Sequence, residues 1–242
     1  MAELRRTLLA GLLAGILVGF VVTGLQAVRV APLILAAEVY ESAAEQAAST
    51  AHDHAAAVPG HDHAAAAQWE PEEGLERTGF TLLANVVVGC GFALLLAAAF
   101  AWREAAGGTG IGASRGLLWG LAGFAVFSLA PSLGLPPTPP GSLTADLASR
   151  QGWWLLTVAA TGAGLGLAVF ARSWLWRISG LALLALPHLL GAPRPPPGAS
   201  AVPAELATQF ALASLATSAV FWILLGTAGG WLYRRLGAPQ GA

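Results

Sequence analysis

The sequence predicts an all-α protein, a polytopic transmembrane helical bundle, and three observations carry that prediction. Of 242 residues, 56% are hydrophobic and 10% are charged, against about 25% charged in a soluble domain. Six apolar runs recur along the chain, each near the roughly 20 residues that a membrane helix needs. The few charges are also sorted, with arginines at one set of run ends and acids and histidines at the other. A net charge of −1 lacks the basic surface that a nucleic-acid partner requires. Cys90 is the single cysteine, so no disulfide scaffold is available.

The first run, 7–28, lies between Arg5-Arg6 and Arg29 and holds no charge. A signal-peptide core is about 7–15 residues long and ends at a small-x-small site. This run is longer and lacks such a site, so it reads as an uncleaved span. Gly11, Gly15 and Gly19 stand four apart, with Thr7 and Thr23 extending the spacing. That spacing makes one helix face smooth enough for close backbone approach. The next runs are 79–102, 116–135, 152–171, the shorter 174–191, and 208–233. Gly116 and Gly120, and Gly226 and Gly230, repeat the four-residue spacing. Only Arg172 and Ser173 separate runs four and five, which reads as a tight helical hairpin. The rival is one long helix with a non-spanning run, giving five spans.

Arginine placement arbitrates, because cytoplasmic flanks are enriched in basic residues. Six spans with the N-terminus inside place Arg5, Arg6, Arg103, Arg115, Arg172, Arg177, Arg234 and Arg235 in the cytoplasm. Four remain outside: Arg29, Arg77, Arg150 and Arg194. Five spans would move Arg234-Arg235 out. The expectation is therefore six spans in a bacterial inner (cytoplasmic) membrane, with both termini cytoplasmic. Trp102, Trp153, Trp154, Trp174, Trp176, Trp231 and Tyr233 read as interface anchors.

Residues 29–78 then form an extracytoplasmic loop. It begins with a helical stretch carrying Glu38, Glu41 and Glu45, and contains a His-rich tract over 52–63. Four of the five histidines lie there, as His52-Asp53-His54 and His61-Asp62-His63 around Pro59-Gly60. Imidazoles suit transition metals, and the carboxylates add oxygen donors. Two flexible pairs folded about a Pro-Gly turn can collect an ion, although they lack the fixed tetrahedral set of a structural site. The competing reading is a solvated linker. Because imidazole must be unprotonated to ligate, capture by the tract weakens below about pH 6.

His188 follows Pro187 near the outer end of run five. An ionisable group within a bundle usually lines a pathway, and the proline leaves a carbonyl near Leu183 without its helical donor. The same outer depth holds Gln26, Asn85, Ser128, Ser132, Gln151, Gln209, Ser214, Thr217 and Ser218. Glu38, Glu76, Asp146 and Glu205 lie at that face. The inner halves are nearly all Ala, Leu, Gly and Val. These polar groups predict an outward vestibule. The chain has no G-x-x-x-x-G-K-[ST] loop, no H-E-x-x-H and no G-x-S-x-G, so no enzymatic activity is expected.

Several stretches together resemble the CbtA family, proposed cobalt transporter subunits of bacteria. They are Pro32-Leu33-Ile34-Leu35-Ala36-Ala37-Glu38-Val39-Tyr40-Glu41, Gly74-Leu75-Glu76-Arg77-Thr78 with Leu82-Leu83-Ala84-Asn85, and Phe127-Ser128-Leu129-Ala130-Pro131 with Gly134-Leu135-Pro136-Pro137. Arg150-Gln151-Gly152-Trp153-Trp154, Leu186-Pro187-His188-Leu189-Leu190-Gly191-Ala192-Pro193 and Pro203-Ala204-Glu205-Leu206 through Gln209-Phe210 add to them. The resemblance spans nearly the whole chain. It implies Co²⁺ uptake linked to cobalamin synthesis, while the ligand types themselves leave Ni²⁺ and Zn²⁺ open as cargo. No intrinsic cofactor is implied. It also implies a small single-span partner resembling CbtB, and it implies five spans where the arginines favour six. A homo-oligomer could supply inner-half ligands instead of the partner.

The resulting expectation has two parts. His52, Asp53, His54, His61, Asp62 and His63 capture metal outside. His188, Glu38, Glu76, Asn85, Asp146, Glu205 and Gln209 form the transit path. The alternative is a non-transporting metal-binding or assembly protein.

Overall fold

The computed structural model describes residues 2–53, 71–72, 74–108 and 110–237. Among these, every regular element is helical. Helix α1 is Ala2–Arg29, α2 is Ala31–Asp53 and α3 is Leu75–Ala105. Helix α4 is Ala113–Ser132. It is followed by α5 (Leu147–Phe170), α6 (Trp174–Leu190) and α7 (Ala204–Gly237). Five of them (α1, α3, α4, α5 and α7) are long and apolar enough to cross a membrane, and α6 is a shorter apolar helix.

Glycine decides how the helices pair. A Cβ at Gly89 would stand 2.7 Å from the Gly15 carbonyl oxygen, so α1 and α3 meet backbone to backbone. Gly11 and Gly19 fit against Leu94 and Val86 along the same seam. Gly112, Gly116 and Gly120 on the α4 side interlock with Gly226 and Gly230 of α7, where a Gly230 Cβ would come within 2.6 Å of the Gly112 oxygen. In the α5–α6 hairpin, a Gly180 Cβ would come within 2.6 Å of the Gly164 oxygen. Small residues allow this approach because lipid supplies no hydrophobic drive between helices, leaving close van der Waals contact to hold them. Helices α1, α3, α4 and α7 form the main body, and the hairpin joins it at the C-terminal part of α4 and through Phe170, which packs against Trp119 and Trp102.

The two ends of the bundle differ. At one, which we call the arginine end, Arg6 of α1 forms a 2.7 Å ion pair with Glu104 of α3. Tyr233 of α7 donates to the same carboxylate at 3.2 Å. The start of α1 and the end of α7 therefore share one end. The turn between α5 and α6 lies there too, with Arg103 5.7 Å over the Phe170 ring. At the opposite end, the tract end, α2 leaves α1 across Val30. The 133–146 segment meets the 191–203 segment there, a Gly134 Cβ falling 2.9 Å from Ala192.

Some expectations change. The 29–78 loop is helical through Asp53. Pro32 does not stop α2, because a proline in the first turn gives up no helical donor. His52 and Asp53 thus end a helix instead of opening an extended linker, while His54, His61, Asp62 and His63 lie outside the described residues. Trp153 is not an interface anchor: it is buried, and its indole N–H donates to the Pro187 carbonyl at 3.3 Å. Tyr233 is likewise buried, because its hydroxyl serves the Arg6–Glu104 pair.

Candidate functional site

Pro131 shapes the tract end. It has no N–H for the Phe127 carbonyl, and its ring would crowd a regular turn. The chain answers with a π-helical turn over Ala125–Leu129, in which the Ala130 N–H reaches back to Ala125. This wider turn carries Phe127 inward. After Ser132, the prolines at 136, 137, 139 and 140 prevent further helix, and the chain crosses the tract end until Asp146 starts α5. The Asp146 carboxylate accepts from the Ser149 N–H at 3.0 Å and from the Ser149 hydroxyl at 3.2 Å. Those bonds hold its pKa below the usual carboxylate value.

The result is a cavity of about 760 Å³ between α4, α5, α7 and the proline segments. Its polar lining is Ser128, Ser132, Thr138, Thr144, Arg150, Gln151, Ser214 and Ser218. Arg150 donates to Thr144 at 3.2 Å. Asp146 stands between Ala145 and Leu147, both part of the wall. Phe127 closes the inward side, where it also lines a second cavity. It stacks on Trp222 at 5.5 Å and 13°, and Phe92 lies 4.9 Å from each of them. The Trp222 N–H donates to the Ser128 hydroxyl at 3.3 Å. The chamber is therefore mixed in its lining, with hydroxyls, an amide and one guanidinium among prolines, leucines and aromatic rings. Its hydroxyl and amide oxygens can accept hydrogen bonds from the water shell of an ion.

The residues expected at this depth separate into groups. Ser128, Ser132, Gln151, Ser214 and Ser218 do share the cavity. Asn85 instead donates to Thr23 at 3.0 Å and Gln26 at 2.7 Å, clamping α3 to α1. Glu38 pairs with Arg77 at 2.5 Å, tying α2 to α3. Glu41, also on α2, accepts from the Gly141 N–H at 3.1 Å, where a positive φ of 72° suits glycine. Glu76 is exposed in the first turn of α3 and accepts from the Glu72 N–H at 3.0 Å. Gln209 donates to Glu205 at 3.4 Å on exposed α7. His188 is half-buried, edge-on to Trp153 at 6.0 Å, and is not part of the cavity wall. Among the described residues no three of His, Cys, Asp and Glu gather as a metal site.

Sequence reasoning missed the Arg6–Glu104–Tyr233 cluster and the Phe92–Phe127–Trp222 stack. The first had a faint signal, an acid beside Arg103 among basic flanks. The second had one in Pro131, four residues after Phe127.

A protein-family model described as "Probable cobalt transporter subunit (CbtA)" matches residues 4–234. No curated protein and no solved structure matches the chain. The matched stretch takes in every helix from α1 to α7 nearly whole, and the chain belongs to the CbtA family.

Proposed function

We propose that the chain is the membrane subunit that admits a divalent transition-metal ion, Co²⁺, from the outside, in uptake linked to cobalamin synthesis. The single observation that carries this reading is the 760 Å³ cavity at the tract end, with hydroxyl and amide groups in its wall and an aromatic floor. Membership in a family of cobalt transporter subunits supports both the cargo and the need for a further subunit.

In this reading the His-rich tract raises the local ion concentration. The hydrated ion enters the cavity past Asp146, and the exposed carboxylates of Glu76 and Glu205 hold a negative field at its approaches, where Glu38 stands paired with Arg77. Gln209 and Asn85 serve the same end of the bundle, and His188 adds an imidazole behind Trp153. Passage requires the Phe127–Trp222 stack to part. The reading takes six crossings, which is supported by the start of α1 and the end of α7 sharing an end while α6 runs beside α5. At about 1.5 Å per residue, the 17 residues of α6 rise about 26 Å, close to the 30 Å apolar core of a bilayer. Eight arginines then face the cytoplasm of the inner membrane, and the tract lies outside. The partner is a small single-span subunit of the CbtB kind, or a second copy of this chain.

Radioactive Co²⁺ uptake in cells carrying the chain, alone and with that partner, tests the reading. Wild type with partner takes up ion above background. Deletion of residues 51–66 raises the half-saturating Co²⁺ concentration and leaves the maximal rate. His188→Ala lowers the rate. No uptake above background in the complete system overturns the transporter reading.

One observation favours a second reading, a non-transporting metal-binding or assembly protein. Beyond Phe127 the second cavity has almost wholly apolar walls and arginines at its far end, a poor road for a dication. Metal bound by the chain with no uptake in the same assay would select it.

A further inference from the structure

We infer that the cleft between α3, α4 and α5 is a binding site for an anionic phospholipid of the surrounding bilayer, with the headgroup phosphate on Arg103 and Arg115. The cleft holds about 810 Å³. Its walls include Leu95, Leu118, Val158 and Val169, which belong to three different helices. Two glycines of α5, Gly162 and Gly166, also line it. Elsewhere in the bundle, glycines such as Gly15, Gly116 and Gly164 each receive a neighbouring backbone. A Cβ at Gly166 would meet nothing within 4 Å, and one at Gly162 only Val126 at 3.8 Å. The wall is thus hollowed where none of the described helices enters it.

Such a hollow does not stay empty, because lining atoms without neighbours forfeit their dispersion contacts. Water is a poor filler where polar partners are scarce. Acyl chains fit, and residues 115–127 on α4 give the wall about 18 Å of length at 1.5 Å per residue.

The ends of the cleft differ in charge. Arg103, at the close of α3, and Arg115, in the first turn of α4, both line it. The ion pairs among the described residues are Arg6–Glu104 and Arg77–Glu38, so neither arginine is matched to a described carboxylate. Arg115 donates to the Gly110 carbonyl at 2.7 Å, which spends one donor of five and neutralises nothing. Two guanidiniums above an apolar hollow complement a phosphodiester carrying two acyl chains.

Native mass spectrometry of the full chain in detergent tests this, with phosphatidylglycerol, phosphatidylcholine and inorganic phosphate titrated in separate arms. Each arginine near a headgroup favours the anionic lipid by about fivefold. Wild type should therefore retain phosphatidylglycerol at a concentration at least tenfold lower than phosphatidylcholine, and should show no phosphate adduct. The double variant Arg103→Gln/Arg115→Gln loses that preference. Gly166→Leu fills the cleft and weakens retention of both lipids while the melting temperature holds. If Gly166→Leu does not fold, the double variant decides alone. Equal retention of the two lipids by wild type overturns the proposal, as does an unchanged preference in the double variant. So does a co-purifying polypeptide that excludes lipid and is lost in Gly166→Leu, which would assign the cleft to a partner helix.

Discussion

Asn85 shows how much a single polar side chain can do inside an apolar bundle. Its amide donates to two acceptors on α1, and in hydrocarbon no water competes for them. Interhelical bonds of this kind average about 0.6 kcal/mol and reach about 1.7. Asn85→Leu is therefore expected to cost about 1 kcal/mol in detergent unfolding, and an unchanged midpoint would show the clamp to be idle. The sequence exposed Asn85 and Gln26 as polar residues at one depth. It could not pair them, because pairing depends on helix rotation, which only the glycine seam sets. Glu104 stayed hidden because an acid beside an arginine at the end of an apolar run resembles any interfacial charge. Asp146 permits a signed prediction. Its folded pKa lies below the ordinary 3.8, so the cap stabilises the fold above that value. The stabilisation fades as pH falls through the lower, folded value. Asp146→Asn should flatten the fall in melting temperature as the pH drops below about 4. An equally steep fall in the variant would place the titrating group elsewhere.

At the scale of elements, glycine position separates contact from decoration. Gly15 sits against the Cys90 and Gly89 backbone, whereas a Cβ at Gly24 would meet nothing within 4 Å. Gly15→Leu should prevent folding or cost more than about 3 kcal/mol. Gly24→Leu should stay within about 0.5 kcal/mol of wild type. Thermal melting of the two variants side by side checks the contrast, and equal midpoints would contradict the seam. The four-residue glycine spacing was fully legible, since it is written locally. The π turn of α4 was not, because Pro131 announces an irregularity without saying whether the helix kinks, ends or widens. Phe127→Ala removes the stacked floor of the tract-end cavity. Reconstituted vesicles carrying it should leak Co²⁺ several-fold faster than those with wild type. Equal leak would show that the closure lies elsewhere.

For the whole molecule, the arginines predict an even number of crossings. The ion pair between the start of α1 and the end of α3, shared with α7, groups the two chain ends at one end of the bundle. In a Cys90→Ala background, single cysteines at Glu3 and Leu236 should both label from one face with a membrane-impermeant reagent. Labelling from opposite faces would mean an odd number of crossings. The two cavities were illegible in the sequence. They are gaps between helices, and a gap has no residue pattern of its own.

Helix α5 is the wall that both cavities share, with Arg150, Gln151 and Trp154 on one and Val158, Gly162 and Gly166 on the other. It is bound along its length to α6, and it meets the main body at two ends: the π turn that carries Phe127 and Phe170, which stacks on Trp119 and packs against Trp102. The hairpin is in effect a partition pinned top and bottom. A flexing of that partition between its pins would enlarge one chamber as it shrinks the other, so a change in what fills the lower chamber would be felt as a change in the room left in the upper one.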